Sequence, residues 1–137
     1  MTSKSYVRFE EPDIAGASTA PGHQGEIDVL SWTQSVVPPA GSEQDPQHLS
    51  FTKYLDGVTK SLLESMRNGK QFRRVTITCF RTEGAAGNQP AKYLTIAMEH
   101  VVIDDYAISS GPGDVSVENI SLRYGLIQYD YTPQKSA

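Results

Sequence analysis

Apolar and polar side chains alternate along most of the chain, and this pattern predicts β-strands. Residues 74–80 show it most clearly, because Val75, Ile77 and Cys79 fall on one face of an extended segment and their neighbours fall on the other. Similar segments, separated by clusters of Gly, Pro, Asn and Ser, are residues 6–9, 26–33, 49–54, 93–98, 101–108 and 115–131. The pattern therefore predicts a mainly β protein.

One segment has its apolar residues at helical spacing instead. These residues are Val58, Leu62, Leu63 and Met66. Asp56 or Thr59 is expected to cap the start of this helix, and the Asn-Gly pair at 68–69 to end it. A helix with one apolar side should pack on a sheet, so we expect a compact barrel or sandwich with one flanking helix. The sequence shows no internal repeat, and residues 1–137 are predicted to form a single domain.

Two of the predicted strands carry apolar residues on both faces. In the segment 26–33, Ile27 and Val29 share one face, whereas Leu30 and Trp32 share the other. The last strand changes parity near Gly125, with Ile120, Leu122, Tyr124 and Leu126 on one face and Ile127, Tyr129 and Tyr131 on the other. A β-bulge at Gly125 would restore a single buried face. Alternatively, a second subunit covers the second face, so both explanations remain open.

Composition narrows the class of function. The net charge is −4, which argues against a nucleic-acid partner. No apolar run approaches the length of about 20 residues that spans a bilayer, so no membrane insertion is expected. The N-terminus lacks the apolar core of a secretory signal, and the single cysteine, Cys79, cannot form an intrachain disulfide. We therefore expect a protein that is made and folded in the cytoplasm.

The sequence offers little material for catalysis. His23, His48 and His100 have no partner at metal-ligand spacing, and Cys79 is expected to be a buried apolar side chain. Asp104 and Asp105 are adjacent and should point to opposite faces of a strand. Neither a phosphate-binding loop nor a Gly-x-Ser-x-Gly motif is present. We predict no enzymatic activity, no cofactor and no metal site.

Five blocks of sequence together resemble the haemolysin-coregulated protein family, Hcp, which forms the inner tube of bacterial type VI secretion systems. In order they read GEIDVLSW (25–32), LSFTKYLD (49–56), YLTIAME (93–99), ENISL (118–122) and YDYTPQ (129–134). The resemblance implies a small two-sheet β-barrel with one flanking α-helix. It also implies that six copies close into a ring and that rings stack into a tube whose lumen carries and stabilises effector proteins. Implied partners are further copies of the chain, effectors, and the spike and sheath of the secretion system. Assembly would occur in the cytoplasm, with secretion by the type VI system and without a signal peptide.

The resemblance assigns three groups of residues to this assembly. The expected subunit interface comprises Leu30, Trp32, Ile127, Tyr129 and Tyr131, because a neighbour would cover the second face of the two-faced strands. The expected contact between rings lies in the proline-rich loop 38–47, at Pro38, Pro39, Ser42, Glu43, Gln44 and Asp45. Thr33 is expected to face the lumen. The segment after Trp32 departs from the family, which usually has a second aromatic residue and then glycines there.

Three alternatives remain open from the sequence. The same assembly physics would serve a tail-tube protein of a bacteriophage or another contractile particle. A monomeric small-barrel module with a ligand in its interior would instead show a concave apolar pocket. An unrecognised hydrolase would need polar groups such as His100 and Asp104 gathered in one cleft.

Overall fold

A computed structural model describes residues 3–16, 18–19, 23–35, 48–82, 90–110 and 116–133. Within these ranges the chain forms eight strands and one helix. The strands are β1 (Ser3–Glu10), β2 (Ile27–Val29), β3 (Ser31–Ser35), β4 (His48–Tyr54), β5 (Gln71–Thr82), β6 (Pro90–Ser110), β7 (Ser116–Arg123) and β8 (Leu126–Tyr131). The helix, α1, is Thr59–Arg67 and lies between β4 and β5. The predicted mainly β fold with one helix is confirmed.

The long strand β6 joins two antiparallel sheets. Its N-terminal half pairs with β5 on one side and with β8 on the other, which makes a first sheet of order β2-β1-β5-β6-β8. Its C-terminal half pairs with β7, which makes a second sheet of order β6-β7-β4-β3. Strands β2 and β3 end the hydrogen-bonded path among the described residues, so the barrel is not closed by hydrogen bonds between them.

The last of the two-faced segments bends where β7 becomes β8, although both strands pair with β6. The N–H of Gly125 donates to the carbonyl of Glu99 at 3.0 Å. The register is unchanged across this point, because Arg123 pairs with Val102 and Leu126 pairs with Glu99, so neither strand gains a residue there. Opposite Gly125, His100 of β6 has φ 57, so both strands of the ribbon bend at the same place. The predicted bulge at Gly125 is therefore wrong, since a β-bulge requires an extra residue on one strand.

The other two-faced segment, near the N-terminus, is not one strand. Residues 26–33 were predicted as a single strand, but the chain forms β2 paired with β1 and then β3 paired with β4. The division falls at Leu30, whose N–H donates to the carbonyl of Thr52 at 2.8 Å. Because each short strand turns one face to the core, Ile27 and Trp32 both point inward despite their opposite parity. The change of parity in this apolar pattern therefore marks the point where the chain crosses from one sheet to the other.

The core lies between the two sheets and under α1. Its fully buried side chains come from every strand except β3 and β8, and include Val7, Phe9, Ile27, Leu49, Phe51, Phe72, Val75, Ile77, Cys79, Ile96, Met98, Val101, Ile120 and Leu122. The helix packs against β6 and buries Leu62. Its end agrees with prediction, since Gly69 has φ 63 directly after Asn68. The helix has its N-cap at Val58 without a side-chain cap hydrogen bond, so neither Asp56 nor Thr59 caps it; the Asp56 carboxylate instead accepts the N–H of Val58 at 3.0 Å.

Candidate assembly surfaces

Strand β8 is an edge of the first sheet and leaves its large side chains uncovered. Among the described strands it pairs with β6 alone. Tyr129 and Tyr131 are 51% and 60% exposed, and Leu126 on the other face is 57% exposed. Ile127 differs from these, because it is partly buried against the core. Edge strands with uncovered aromatic residues are typical of surfaces that a further strand or chain completes.

The two tyrosines lie on the core side of the sheet. Tyr129 is the register partner of Ile96, and Tyr131 is the partner of Leu94. Their rings therefore extend the core to the open rim of the barrel, and partial burial raises the pKa of Tyr129. The N–H of Thr132 donates to the carbonyl of Tyr93 at 2.8 Å. By the alternation of an antiparallel pair, the backbone N–H and C=O groups of Tyr129 and Tyr131 point away from β6.

Strand β3 is the corresponding edge of the second sheet. Trp32 pairs with the buried Phe51 and is partly buried against the core. The side-chain amide of Gln34, on the same face, donates to the hydroxyl of Tyr124 at 2.8 Å. Leu30, at the crossing, is 46% exposed. Of the five predicted interface residues, the structure exposes Leu30, Tyr129 and Tyr131, whereas its own core partly covers Trp32 and Ile127.

Thr33 lies on the outer face of the second sheet, which is built from small side chains. It is exposed, and its register partner is Ser50. Around it the same face carries Ser31, Thr52, Ala107, Asn119 and Ser121. The hydroxyls of Ser31 and Thr52 lie 2.7 Å apart in a hydrogen bond. Besides these small side chains, Asp105, the register partner of Ser121, and Arg123, the partner of His48, place one negative and one positive group on the same face.

The predicted contact between rings falls outside the described residues. Pro38, Pro39, Ser42, Glu43, Gln44 and Asp45 all belong to the segment 36–47 between β3 and β4. The residues that flank that segment, Ser35 and His48, are register partners of β3 and β4.

A buried ion pair beneath these surfaces was not predicted. Lys53 is 1% exposed and Glu118 is 0% exposed, and the Lys53 ammonium donates to the Glu118 carboxylate at 2.5 Å. The same ammonium donates to Asp56 at 2.8 Å and to the carbonyl of Tyr54 at 2.9 Å. The hydroxyl of Thr59, in the first turn of α1, donates to Glu118 at 2.9 Å. One carboxylate thus joins β4, β7 and the helix.

Tyr106 of β6 completes this network. Its hydroxyl donates to the second oxygen of Glu118. Burial, followed by the hydrogen bond to Glu118 and its negative charge, raises the pKa of Tyr106 to about 12. A buried pair whose remaining oxygens and protons are all hydrogen-bonded fixes one arrangement of its neighbours, because removing any partner leaves an uncompensated charge. Strand parity could have revealed the buried lysine, since Lys53 lies on the same inward face of β4 as Leu49 and Phe51.

The histidines and acids do not converge on one cleft. His23 stacks on Tyr6 with ring centroids 4.1 Å apart and bonds to the Glu26 carboxylate at 2.6 Å. His48 lies 3.0 Å from Asp104, whereas His100 is exposed at the bend of β6 and contacts Gly125. Within the described ranges, no three His, Cys, Asp or Glu side chains are grouped so that they could hold a metal ion. In the same part of the chain, no helix is long and apolar enough to cross a membrane.

The interior of the barrel is occupied by its own side chains. The buried core residues fill the space between the sheets with zero or near-zero exposure. Surface depressions lie outside this interior, one along the outer side of α1 and another among the charged residues at Glu11, Arg73 and Glu99. The arrangement therefore offers edges and faces for assembly more readily than a pocket for a small ligand.

Comparison with known proteins identifies the relatives of this chain. The model of the family described as "Type VI secretion system effector, Hcp" matches residues 6–131. The chain belongs to the Hcp family. Protein hcp1 of Pseudomonas aeruginosa is 31% identical over 134 residues, which cover 90% of this chain and 81% of the relative. The predicted family resemblance is confirmed.

Solved structures agree in fold. Hcp1 from Salmonella typhimurium superimposes with a TM-score of 0.81 at 22% identity, covering 99% of this chain and 90% of that structure. A type VI secretion system effector from Yersinia pestis gives a TM-score of 0.74 at 24% identity, covering 93% and 87%. A chain from the baseplate of the anti-feeding prophage gives a TM-score of 0.54 at 10% identity, which shows a shared fold. As an Hcp protein, the chain is a tube subunit of the type VI secretion system.

Proposed function

We propose that six copies of this chain close into a ring through the edge strands, that rings stack into a tube, and that the tube carries effectors in its lumen. The observation that carries the ring is the state of β8. Its two core-side tyrosines are more than half exposed at a strand edge whose backbone groups have no partner among the described strands. A neighbouring subunit would bury these rings and use these backbone groups, which a monomer leaves in water.

The second sheet has two different free edges, and a contact between them would close the ring of subunits. It ends in β3 on one side and in the C-terminal half of β6 on the other. Joining the β3 edge of one copy to the β6 edge of the next is a heterologous contact, and such contacts generate rings when the rotation closes. Leu30 and Trp32 lie at one of these edges, and Tyr129 and Tyr131 lie at the edge of the first sheet.

The outer face around Thr33 suits the lining of the tube. Six copies of a face built mainly from Ser, Thr, Asn and Ala, with one carboxylate at Asp105 and one guanidinium at Arg123 in each copy, would make a polar wall. Such a wall offers hydrogen bonds to a passing polypeptide and no large apolar surface that would hold it tightly. Effector proteins are the proposed cargo, and the spike and sheath of the same system are the proposed outer partners. The subunit has no catalytic role in this proposal and leaves the cell through the type VI system.

The solution mass of the purified chain tests the ring. Light scattering during size-exclusion chromatography should give about six times the subunit mass of 15.0 kDa. A constant mass of one subunit across a wide concentration range would contradict intrinsic ring formation. In that case the exposed β8 edge would need another partner.

A further inference from the structure

The inward-facing side of β5 and β6 changes at one level of the fold. In β5 the fully buried side chains Phe72 and Val75 lie three residues apart, and in β6 Met98 and Val101 do the same. Regular alternation would place two residues at this separation on opposite faces of a strand. The register is kept through the change, because Phe72 pairs with Val101 and Val75 pairs with Met98. The two strands therefore switch faces together, without an extra residue in either.

The chain between β7 and β8 switches faces at the same level. Tyr124 is buried, and Ile127, three residues later, packs against the core. By the register of their neighbours, Arg73, His100 and Gly125 lie side by side between the two inward rows. We call these three residues the crease. It crosses three adjacent strands and separates the β8 side of the fold from the β7 side.

The backbone at the crease departs from the strand conformation. His100 has φ 57, and among the residues that the structure describes only Glu11 also combines a side chain with a positive φ. Glu11 lies at the same level, since its carbonyl accepts the N–H of Arg73 at 3.0 Å. Side chains other than those of Asn, Asp and His rarely adopt this region, because the Cβ atom crowds the following carbonyl. Such a conformation persists only where the surrounding structure holds it.

Close packing against the opposite strand holds His100 in this conformation. A Cβ atom at Gly125 would lie 3.3 Å from the Cβ of His100 and 3.7 Å from the carbonyl oxygen of Glu99. The first distance is shorter than the optimal separation of two carbon atoms, which is about 3.5–4.0 Å. The N–H of Gly125 also donates to the Glu99 carbonyl at 3.0 Å. Glycine thus lets the two strands approach at the crease, and a methyl group there would push them apart.

The two sides of the crease carry different parts of the proposed subunit contact. Tyr129 and Tyr131 lie on β8, whereas Leu30 and Trp32 lie at the β3 edge of the second sheet. A heterologous contact closes a ring of six when each copy is turned by about 60° from the last, and a ring of five or seven needs about 72° or about 51°. The angle between the two surfaces therefore decides the number of copies, and a change of roughly 10° is enough to alter it.

We propose that the crease sets the angle between the two sheets and thereby selects a ring of six copies. The inference rests on the ring proposed above and adds the residues that determine its size. His100 and Gly125 are positioning residues, which act through the direction of the sheets and not through contacts of their own with a neighbouring copy. This role predicts a change of subunit number in chains that stay folded, which a merely structural role does not.

Native mass spectrometry of two pairs of variants tests the proposal by counting the subunits in each ring. Gly125→Ala adds the crowding methyl group, and its matched control is Gly57→Ala, because a Cβ atom at Gly57 meets nothing within 4 Å. His100→Val introduces a branched side chain that disfavours a positive φ, and its control is His100→Asn, which tolerates it. We expect rings of six from both controls. In Gly125→Ala and His100→Val, fewer than half of the assembled chains should be in rings of six.

The angle itself is measured in single copies. Spin labels at Lys92→Cys and Ser109→Cys, both exposed and near opposite ends of β6, report the bend by electron–electron double resonance. Tyr129→Glu, a charge at the proposed interface, keeps these chains from assembling, and Cys79 stays unlabelled because it is fully buried. At about 3.3 Å per residue each label lies roughly 25–30 Å from the crease, so a change of about 10° shifts their separation by about 2 Å. We expect this shift in both crease variants and in neither control.

Circular dichroism in the far ultraviolet checks the fold of the same samples and should be unchanged. Rings of six from Gly125→Ala and His100→Val that are as abundant as in the wild type would overturn the proposal. An unchanged label separation in both folded variants would overturn it as well, and if His100→Val does not fold, Gly125→Ala alone decides. Failure of the crease leaves wild-type rings of six intact, whereas a one-subunit mass for the wild-type chain would contradict the ring and with it the selection of six copies.

Discussion

Strands β7 and β8 follow each other along the same side of β6, yet their surroundings differ. Strand β7 is hydrogen-bonded on both sides, to β6 and to β4, and its inward residues Glu118, Ile120 and Leu122 have no exposed surface. Strand β8 is bonded to β6 alone among the described strands, and Tyr129 and Tyr131 on its inward face are more than half exposed. The bend at Gly125 and His100 lies between the two strands. Folding of the single chain completes β7, whereas in the proposed ring a neighbouring subunit completes β8.

The largest expected effect is a loss of stability when the buried ion pair at β7 is broken. Glu118→Ala removes the buried counter-charge of the Lys53 ammonium and leaves it only the partly exposed Asp56, and we expect a loss of about 3–5 kcal/mol in the free energy of unfolding. Urea denaturation should be followed in a Tyr129→Glu background, so that ring formation does not add to the measured stability. The control is the double variant Lys53→Met/Glu118→Leu, which removes both charges and should lose much less. An equal loss in the double variant would contradict the role given to the uncompensated charge.

A matched pair of truncations compares the apolar residues of the two strands. Leu122→Ala creates a cavity in a fully buried site and should cost about 2–5 kcal/mol of monomer stability. Tyr131→Ala removes a larger side chain, but one that solvent already reaches, and should cost less than about 1 kcal/mol. Thermal unfolding of both variants in the same non-assembling background measures the difference. Similar losses would show that β8 is as much a part of the single-chain core as β7.

A charge on β8 should separate assembly from folding. Tyr129→Glu places a carboxylate at the proposed interface, so we expect the six-subunit mass to fall to that of one subunit while the far-ultraviolet circular dichroism spectrum stays unchanged. Light scattering and circular dichroism on the same sample provide the test. Tyr129→Phe keeps the aromatic side chain and should assemble normally. Rings of full mass from Tyr129→Glu would place the interface elsewhere on the molecule.

The smallest effect concerns alkaline pH. The pKa of Tyr106 is raised from 10.0 to about 12, chiefly by burial and then by Glu118. Between these values the folded chain holds a proton that the unfolded chain has lost, so stability should fall as the pH rises from 10 towards 12. Tyr106→Phe has no such proton, and its unfolding free energy should fall less steeply over this range. Tyr129→Phe, at a tyrosine whose pKa is raised mainly by burial, is the control and should change the slope less. An unchanged slope in Tyr106→Phe would contradict the stated cause.

Much of the fold follows from local pattern. The alternation at Val75, Ile77 and Cys79 predicted a strand with one buried face, and all three side chains are fully buried in β5. The helix and its end at Asn68-Gly69 were also predicted, because helical spacing and a left-handed glycine are local properties. The family could be predicted for a related reason, since five short blocks in a constant order carry information that no single block contains.

Other features could not be read in this way because they depend on which strands become neighbours. The pattern in 26–33 predicted one strand, but the pairing of β2 with β1 and of β3 with β4 divides it at Leu30. Trp32 and Ile127 were assigned to the surface between subunits, and the structure partly covers both with the chain's own core. Lys53 and Glu118 are 65 residues apart and meet only because β4 pairs with β7.

The sequence by itself determined the strand periodicity, the helix, the family and the lack of recognisable catalytic motifs, because each of these depends on residue types at short and fixed separations. The tertiary structure alone decided which edges stay open, which apolar residues the chain covers itself and where its buried charges meet. These properties depend on contacts between distant segments, and burial is a property of the whole packed molecule. The exposed edge at β8 and the buried pair of Lys53 and Glu118 therefore became visible only once the two sheets were in place.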